Sequence, residues 1–417
     1  MKIYISGISG TGMGPLALMA KAAGFEVYGS DLLEGAIYNE LVKNGIEVKI
    51  GPQDGEFLKQ KLAEGVDWFV YTSALPANHP ELLLARAAGI KVTKRDALTA
   101  FLVKELGLKM VAVAGTHGKT TTTSMIVYAA LRLGLPVSYI VGTTLGFAPS
   151  GAYHPGDEFF VYEADEYDRN FLNFEPWLSV ITTVSYDHPD IYKTREEYAA
   201  AFLQFERQSE NVLKTDGGAP NTKDFTLAGE ARRQDAAYAM GAVMAMCREM
   251  ANEGKVSVSD LGQVIRVLNE FPGVGRRFER LAKGVYSDYA HHPEEIRATM
   301  GVALDECRLK GYKGVVVVYQ PHQNTRQHEV FDNYKDAFIG ATKVYWLPTY
   351  LTREDDSLAV ITPAEFVANL SNAEMAETAE LDDALFAELM RWRDEGYLVL
   401  LLTAGPADGW LRGKLAK

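Results

Sequence analysis

Cysteine is scarce: the 417 residues hold two, Cys247 and Cys307, with no Cys-x-x-Cys pair and no Cys/His cluster. That excludes a disulfide framework and a structural zinc site, and it fits a reducing cytoplasm. Long apolar runs are missing as well; none approaches the ~20 residues that a membrane-spanning helix needs. The start, Met1-Lys2-Ile3-Tyr4-Ile5-Ser6-Gly7, reads as a strand rather than a secretory leader. Glycine and proline, 37 and 16 residues, are too few and too dispersed for a collagenous or disordered chain. Positive charge is in deficit. Lys and Arg number 42 against 55 Asp and Glu, a net charge of −13, so nucleic acid is repelled at long range. Anionic small molecules stay open, because backbone N–H groups and a few local cations can hold them.

What is present is an ordinary globular composition, 47% apolar and 23% charged, enough for more than one core. At ~100–200 residues per domain the length predicts two to four domains. Strand-like runs at Lys2–Ser6, Phe25–Gly29, Ile46–Ile50, Asp67–Thr72 and Ile90–Thr93 are separated by helix-length segments, the first being Met13–Ala23. This alternation predicts parallel βαβ units with helices on both faces. A second unit begins after Gly107 with a strand at Lys109–Ala114, a helix at Thr121–Leu133, and strands at Phe159–Tyr162 and Leu178–Thr183. Gln208–Asp224, rich in turn residues, reads as a surface connection, and Ala231–Ala251 as a helix. Phe271-Pro272-Gly273-Val274-Gly275 marks a second boundary. Beyond it come strands at Gly284–Tyr289, Gly314–Tyr319, Lys343–Leu347 and Tyr397–Thr403, with Ala373–Leu389 reading as a solvated amphipathic helix.

Two glycine turns follow strands and open helices. The first carries Gly7, Gly10, Gly12 and Gly14, with Asp31 ending the second strand where a ribose-binding acid would stand. A strict G-x-G-x-x-G fails, since its third glycine would fall at Pro15. The turn then serves either tight strand–helix packing or a nucleotide diphosphate. The second is Gly115-Thr116-His117-Gly118-Lys119-Thr120, shorter than the generic Walker loop, whose first glycine would fall at Val113. Its lysine can reach nucleotide phosphates and its Thr120 hydroxyl can meet Mg²⁺. Two polar clusters follow strands in the same unit, Glu163-Ala164-Asp165-Glu166-Tyr167-Asp168 and Ser185-Tyr186-Asp187-His188-Pro189-Asp190. Carboxylate, imidazole and phosphate oxygens together suit metal–ATP chemistry. In the third unit Asp288-Tyr289-Ala290-His291-His292-Pro293 and Tyr319-Gln320-Pro321-His322-Gln323-Asn324-Thr325-Arg326 suit a small carboxylate-bearing substrate, with Arg326 as its partner. Taken singly, the His-His pair is equally a helix cap or surface decoration.

In this order the phosphate loop, Glu163-Ala164-Asp165-Glu166, Asp187-His188, Gly275-Arg276-Arg277-Phe278 and Asp288 to Pro293 resemble the Mur ligases of peptidoglycan synthesis. The resemblance runs from Gly7 to the last strand. Thr120 separates the chain from folate-tailing relatives, and Phe202, where later Mur ligases carry a modified lysine, points to the alanine-adding branch or its tripeptide-recycling relative. The resemblance implies three α/β domains: a Rossmann-like UDP-sugar domain over 1–107, a P-loop ATPase-type domain over 108–275, and a Rossmann-like amino-acid domain over 276–417. It implies a cytoplasmic ligase of cell-wall biogenesis, and so of cell shape and division. ATP would phosphorylate the lactyl carboxylate of UDP-N-acetylmuramate, and L-alanine would displace phosphate from the acyl phosphate. A tripeptide-adding ligase and, from another class, a nicotinamide-dependent dehydrogenase are the alternatives.

By the same resemblance Gly115, Thr116, Gly118, Lys119, Thr120, Thr121 and Asp288 would bind ATP, and Thr120, Glu163 and His188 would hold Mg²⁺. Gly10, Thr11, Gly12, Met13, Ser30, Asp31, Ser73 and Ala74 would bind the UDP-sugar. Tyr289, His291 and Arg326 would orient alanine, and Arg276 or Arg277 would meet the transferring phosphate on domain closure. The partners are these small molecules, with no nucleic acid and no membrane. Departures are Ala231-Arg232 where the family has His-Asn, and Gln323 where it has a first arginine.

Overall fold

The computed structural model describes residues 1–416 except 36, 73–74, 189–190, 216–220, 255–259, 353 and 356. Met1–Pro220 with Asp235–Pro272 form one compact unit, and Asn221–Gln234 with Gly273–Lys417 a second. No helix among the described residues is long and apolar enough to cross a membrane.

The first unit holds two sheets. One has five parallel strands, β1 (Lys2–Ser6), β2 (Glu26–Asp31), β3 (Glu47–Ile50), β4 (Trp68–Tyr71) and β5 (Lys91–Lys94), in the order β3-β2-β1-β4-β5. β1 lies at the centre, so its Ile3, Tyr4 and Ile5 are buried on both faces, which is why it reads as an unbroken apolar run. Register sets Ser6 beside Ser30 on one side and Tyr71 on the other, so the glycine turn after β1 opens at the carboxyl edge of the sheet.

The other sheet contains β6 (Lys109–Ala114), β7 (Val137–Ile140), β8 (Gly151–Ala152), β9 (Phe159–Glu163), β10 (Leu178–Ile181) and β11 (Asn211–Leu213), ordered β11-β10-β6-β9-β7-β8. All pairs are parallel but β7–β8. Because β6 runs between β9 and β10 in the same direction, the phosphate loop, Glu163 and Thr182 emerge together at one edge. A continuous apolar cluster runs from Ile3 and Leu16 through Leu102 to Phe160, Phe171 and Phe205. Phe202 belongs to it, packed on Phe171 and Tyr198.

The second unit's sheet contains β12 (Glu279–Ala282), β13 (Val285–Asp288), β14 (Val315–Gln320), β15 (Ala341–Trp346), β16 (Ala376–Thr378) and β17 (Leu398–Thr403), ordered β12-β13-β17-β14-β15-β16. Only β12–β13 is antiparallel. β14 and β17 are wholly buried and covered by helices on two faces, giving separate apolar clusters.

The α/β architecture agrees with the sequence expectation, and two local readings are corrected. The connection Gln208–Asp224 contains β11, a three-residue strand paired with β10 at the sheet edge. Such a strand is specified by its neighbour, not by its own turn-rich surroundings. Ala373–Leu389 is not one helix: a 3₁₀ turn at Ala373–Met375 leads into β16, and the helix spans Asp383–Asp394. Pairing of Val344 with Ala376 extends that stretch, and Asp382 starts the helix by accepting the Leu385 N–H at 2.8 Å. The short strands β7, β8 and β12 also lie beyond the sequence reading.

Candidate active site

The phosphate loop is a strand, two left-handed glycines and a helix. Gly115 has φ +136°, and a Cβ there would stand 2.2 Å from Thr182 Oγ1. Gly118 has φ +83°, and its Cβ would stand 2.4 Å from Asp235 Oδ1. Both positions therefore exclude side chains by backbone conformation and by space. The loop is stitched to the end of β10: Thr116 N–H donates to Thr183 O at 2.8 Å, and the Thr116 hydroxyl to Ser185 O at 2.7 Å. Helix Lys119–Leu133 begins directly after Gly118, with Thr121 half-buried on its first turn.

Lys119 and Thr120 each sit on a carboxylate. Lys119 Nζ donates to Glu166 Oε2 at 2.9 Å and Oε1 at 3.1 Å, and to Gly115 O at 2.7 Å. Thr120 Oγ1 donates to Glu163 Oε1 at 2.9 Å, with Oε2 at 3.1 Å. Burial alone would lower the Lys119 pKa, but Glu166, Asp165 and Glu163 outweigh it and hold the ammonium above its usual range. Glu166 is 0% exposed, and Tyr198, whose OH lies 2.8 Å from Thr116 Oγ1, flanks it at 3.4 Å. His188 has φ +57°, and its Nε2 lies 3.8 Å from Glu166 Oε1 and 3.7 Å from Asp187 Oδ2. Among the described residues it pairs with the carboxylates of Glu166 and Asp187, whereas Glu163 faces Thr120. No group of three or more His, Cys, Asp or Glu side chains with metal-site geometry occurs among the described residues.

At the first glycine turn, Gly7 adopts φ +80°, and its N–H and that of Ile8 donate to Ser30 O at 2.8 and 3.1 Å. Asp31 accepts the Ser9 N–H at 2.8 Å and the Leu32 N–H at 2.8 Å, so it pins the turn. Gly10 and Thr11 are exposed at the crest, while Met13 is buried beneath. The Ser30 hydroxyl is 1% exposed and donates to Glu81, which also accepts Tyr4 OH and Ser6 Oγ, both at 2.6 Å. Ser73 and Ala74 lie outside the described residues, as do Pro189 and Asp190.

In the second unit Asp288 ends β13 and is buried, accepting the Phe278 N–H at 2.6 Å and the Ala290 N–H at 2.7 Å. Burial pushes its carboxyl up, against the pull of Arg277 and these N–H groups. Arg276 and Arg277 stack over Tyr289 at 4.5 and 5.4 Å, and Arg276 Nη2 donates to Thr403 O at 2.8 Å. Arg326 Nη1 donates to His291 Nε2 at 2.6 Å, while His291 Nδ1 lies 3.1 Å from Tyr289 O. These contacts define one neutral tautomer, proton on Nδ1, and burial lowers the His291 pKa to match, with Arg326 adding to it against Glu295. His292 is a helix cap, closing a capping box with Glu295.

The structure therefore gathers Lys119, Thr120, Glu163 and His188 around one strand edge, and Tyr289, His291, Arg276, Arg277 and Arg326 around another. Glu166, Tyr198, Asp235 and Glu81, which pack against these candidate groups, were not singled out by the sequence reading. Glu166 lay inside the acidic segment that drew attention, but nothing local separates its role from that of Glu163. Asp235 reaches Gly118 from a helix remote in sequence, with no local signal at all.

A parallel sheet whose lysine–threonine loop opens beside strand-end carboxylates defines a phosphate-loop α/β protein. A model described as the Mur ligase family catalytic domain matches residues 2–105, and one described as the Mur ligase middle domain matches 113–218. The UDP-N-acetylmuramate–L-alanine ligase of Paenarthrobacter aurescens is 30% identical over 98% of this chain and 95% of its own length. The protein of that name from Gloeobacter violaceus is 31% identical, over 96% and 93%. The chain belongs to the Mur ligase family. Among solved structures, a UDP-N-acetylmuramate–alanine ligase from Thermotoga maritima aligns with TM-score 0.73 at 23% identity, covering 100% of this chain and 98% of that one. A murein peptide ligase from Psychrobacter arcticus aligns with TM-score 0.61 at 19% identity, over 100% and 98%. These two likenesses establish the shared fold.

Proposed function

We propose that this protein is an ATP-dependent ligase joining L-alanine to UDP-N-acetylmuramate in the cytoplasm. The observation that carries the ligase chemistry is the Lys119–Thr120 pair seated on Glu166 and Glu163. The printed names of the near-full-length relatives support the choice of substrates. Family membership removes the dehydrogenase alternative. The reading assigns the UDP-sugar to residues 1–107, ATP to 108–275 and the amino acid to 276–417, and the three separate sheets support that division.

A carboxylate is a poor electrophile, so its oxygen first takes the γ-phosphoryl group of ATP, releasing ADP. The alanine amine then attacks the acyl phosphate, forming the amide bond as phosphate departs. The first step brings two anions together, and cations and positioning carry it. Lys119 would transfer its ammonium from Glu166 to the β/γ oxygens, and the N–H groups opening helix Lys119–Leu133 would complete the cradle. Mg²⁺ would be held by the hard-oxygen pair of Thr120 and Glu163 and would neutralise phosphate charge there, and His188 would hold a second ion. Neutral His291 would keep Arg326 aimed at the amino-acid carboxylate, beside Tyr289.

The test is ADP release with UDP-N-acetylmuramate and, in turn, L-alanine, glycine, L-serine and the tripeptide. Release that depends on L-alanine is the expected result. Release with the tripeptide alone would make the protein a recycling ligase, and no release with any amine would end the ligase reading.

A further inference from the structure

When Lys119 moves its ammonium to phosphate, it leaves Glu166 behind. That carboxylate is 0% exposed, and its backbone is fixed: the Glu166 carbonyl accepts Tyr192 OH at 2.7 Å and the Arg169 N–H at 3.0 Å. A buried carboxylate stripped of its cation is strongly destabilising unless another donor takes its place. Lys119, Tyr198, His188 and Asp165 are the polar and charged groups facing it. Asp165 is of like charge, and His188 Nε2 at 3.8 Å lies beyond hydrogen-bond reach. The remaining group is the Tyr198 hydroxyl, 3.4 Å from Glu166 Oε1.

Tyr198 lies on the first turn of helix Arg195–Gln208 and is 1% exposed. Tyr192 and Tyr186 meet its ring edge-on at 5.0 and 6.0 Å, and Phe202 packs against it at 5.1 Å, so the ring is fixed. Apolar packing alone would be served by phenylalanine, as at Phe202 and Phe205 on the same helix. The hydroxyl instead stands between the phosphate loop and Glu166, 2.8 Å from Thr116 Oγ1. Thr116 gives its own proton to Ser185 O at 2.7 Å and accepts the Ser185 N–H at 2.9 Å. Its one free lone pair therefore receives the Tyr198 proton. Rotation about the Tyr198 C–O bond redirects that proton to Glu166 without moving the ring.

We propose that Tyr198 is a positioning residue of the nucleotide site, whose hydroxyl proton turns from Thr116 to Glu166 as Lys119 leaves the carboxylate for the β/γ phosphates. This rests on the reading of the phosphate loop as the ATP site. Thr116 keeps both of its bonds to Ser185, so the loop stays anchored to the end of β10 during the exchange.

The test measures ATP and AMP binding by calorimetry, with Mg²⁺ present, in wild type, Tyr198→Phe, Glu166→Gln and the double variant. AMP has no β or γ phosphate to draw Lys119 away. Tyr198→Phe should weaken ATP by about tenfold, as for a lost hydrogen bond to a charged group, and AMP by less than about twofold. In the Glu166→Gln background the same change should cost ATP less than about twofold, since no charge is left to satisfy. UDP-N-acetylmuramate affinity close to wild type shows a variant folded. A second measurement needs no variant fold: in wild type labelled with ¹³Cζ-tyrosine, the Tyr198 resonance should shift on adding ATP and stay in place with AMP. Equal losses for ATP and AMP, an ATP loss that persists in the Glu166→Gln background, or an unmoved resonance overturns the proposal, leaving Tyr198 as a prop for Thr116. Wild-type protein that binds neither nucleotide overturns the ATP-site assignment and this role with it.

Discussion

The first unit uses the strand–glycine–helix device twice, and the two copies treat their cation in opposite ways. At the phosphate loop the lysine belongs to the loop and rests on a buried carboxylate, Glu166, and a backbone oxygen. At the N-terminal turn the cation comes from elsewhere in the chain, and Arg95 is left with one long hydrogen bond. The glycines differ in the same sense. Gly115 and Gly118 adopt left-handed backbone, whereas Gly12 has ordinary dihedrals and lies against the movable end of the Arg95 side chain. A saturated cation must exchange partners when phosphate arrives, but an unsaturated one gains partners outright. The glycine pattern alone does not distinguish these situations.

The largest effect expected from breaking this contrast is at the phosphate loop. Lys119→Ala should lower ADP formation by about 10³-fold, the scale of losing a charge-stabilising donor, while calorimetry shows UDP-sugar affinity within about twofold of wild type. Joint loss of both would contradict separate sites. Next comes the second unit, where Arg326→Gln should raise KM for alanine by roughly 10–100-fold, from one lost charged hydrogen bond, with KM for ATP unchanged in steady-state assays.

Glu166→Gln sharpens the comparison, with about a tenfold drop in kcat/KM for ATP expected. Burial lowers the Lys119 pKa and Glu166 raises it, so removing the carboxylate shifts the alkaline limb of the pH–rate profile to lower pH. An unmoved limb would mean Glu166 does not hold the ammonium. His291 carries the opposite dependence. Its native pKa is depressed, so its contribution to stability is complete above the unfolded value of about 6.5 and is lost as pH falls through the native value. Protonation also turns Nε2 from an acceptor into a donor facing Arg326, so KM for alanine should rise on the acid side.

The smallest expected effect is at Glu81, beneath the N-terminal turn. Glu81→Gln leaves hydroxyls of Tyr4, Ser6 and Ser30 competing for one carbonyl oxygen. The loss should be about 1–2 kcal/mol, seen as a lower melting temperature with little change in turnover. A large rise in KM for the UDP-sugar would instead place Glu81 in the binding machinery.

Much of this protein was determined by sequence alone. Alternating apolar strands and helix-length segments specify parallel α/β sheets, because strands buried on both faces must be apolar throughout, as in β1, β6 and β14. The Gly118-Lys119-Thr120 run, the strand-end carboxylates and the Arg326 loop are legible because their chemistry lies in contiguous residues. Tertiary structure decided what depends on distant partners. It seated Lys119 on Glu166 and Thr120 on Glu163, made His292 a cap while His291 received Arg326, and buried the Ser30 hydroxyl on Glu81. It also set Arg95 against Gly12 and paired the short edge strands β11 and β16. A hydrogen bond or a filled space between residues remote in sequence leaves no local pattern, since each partner alone is compatible with many surroundings.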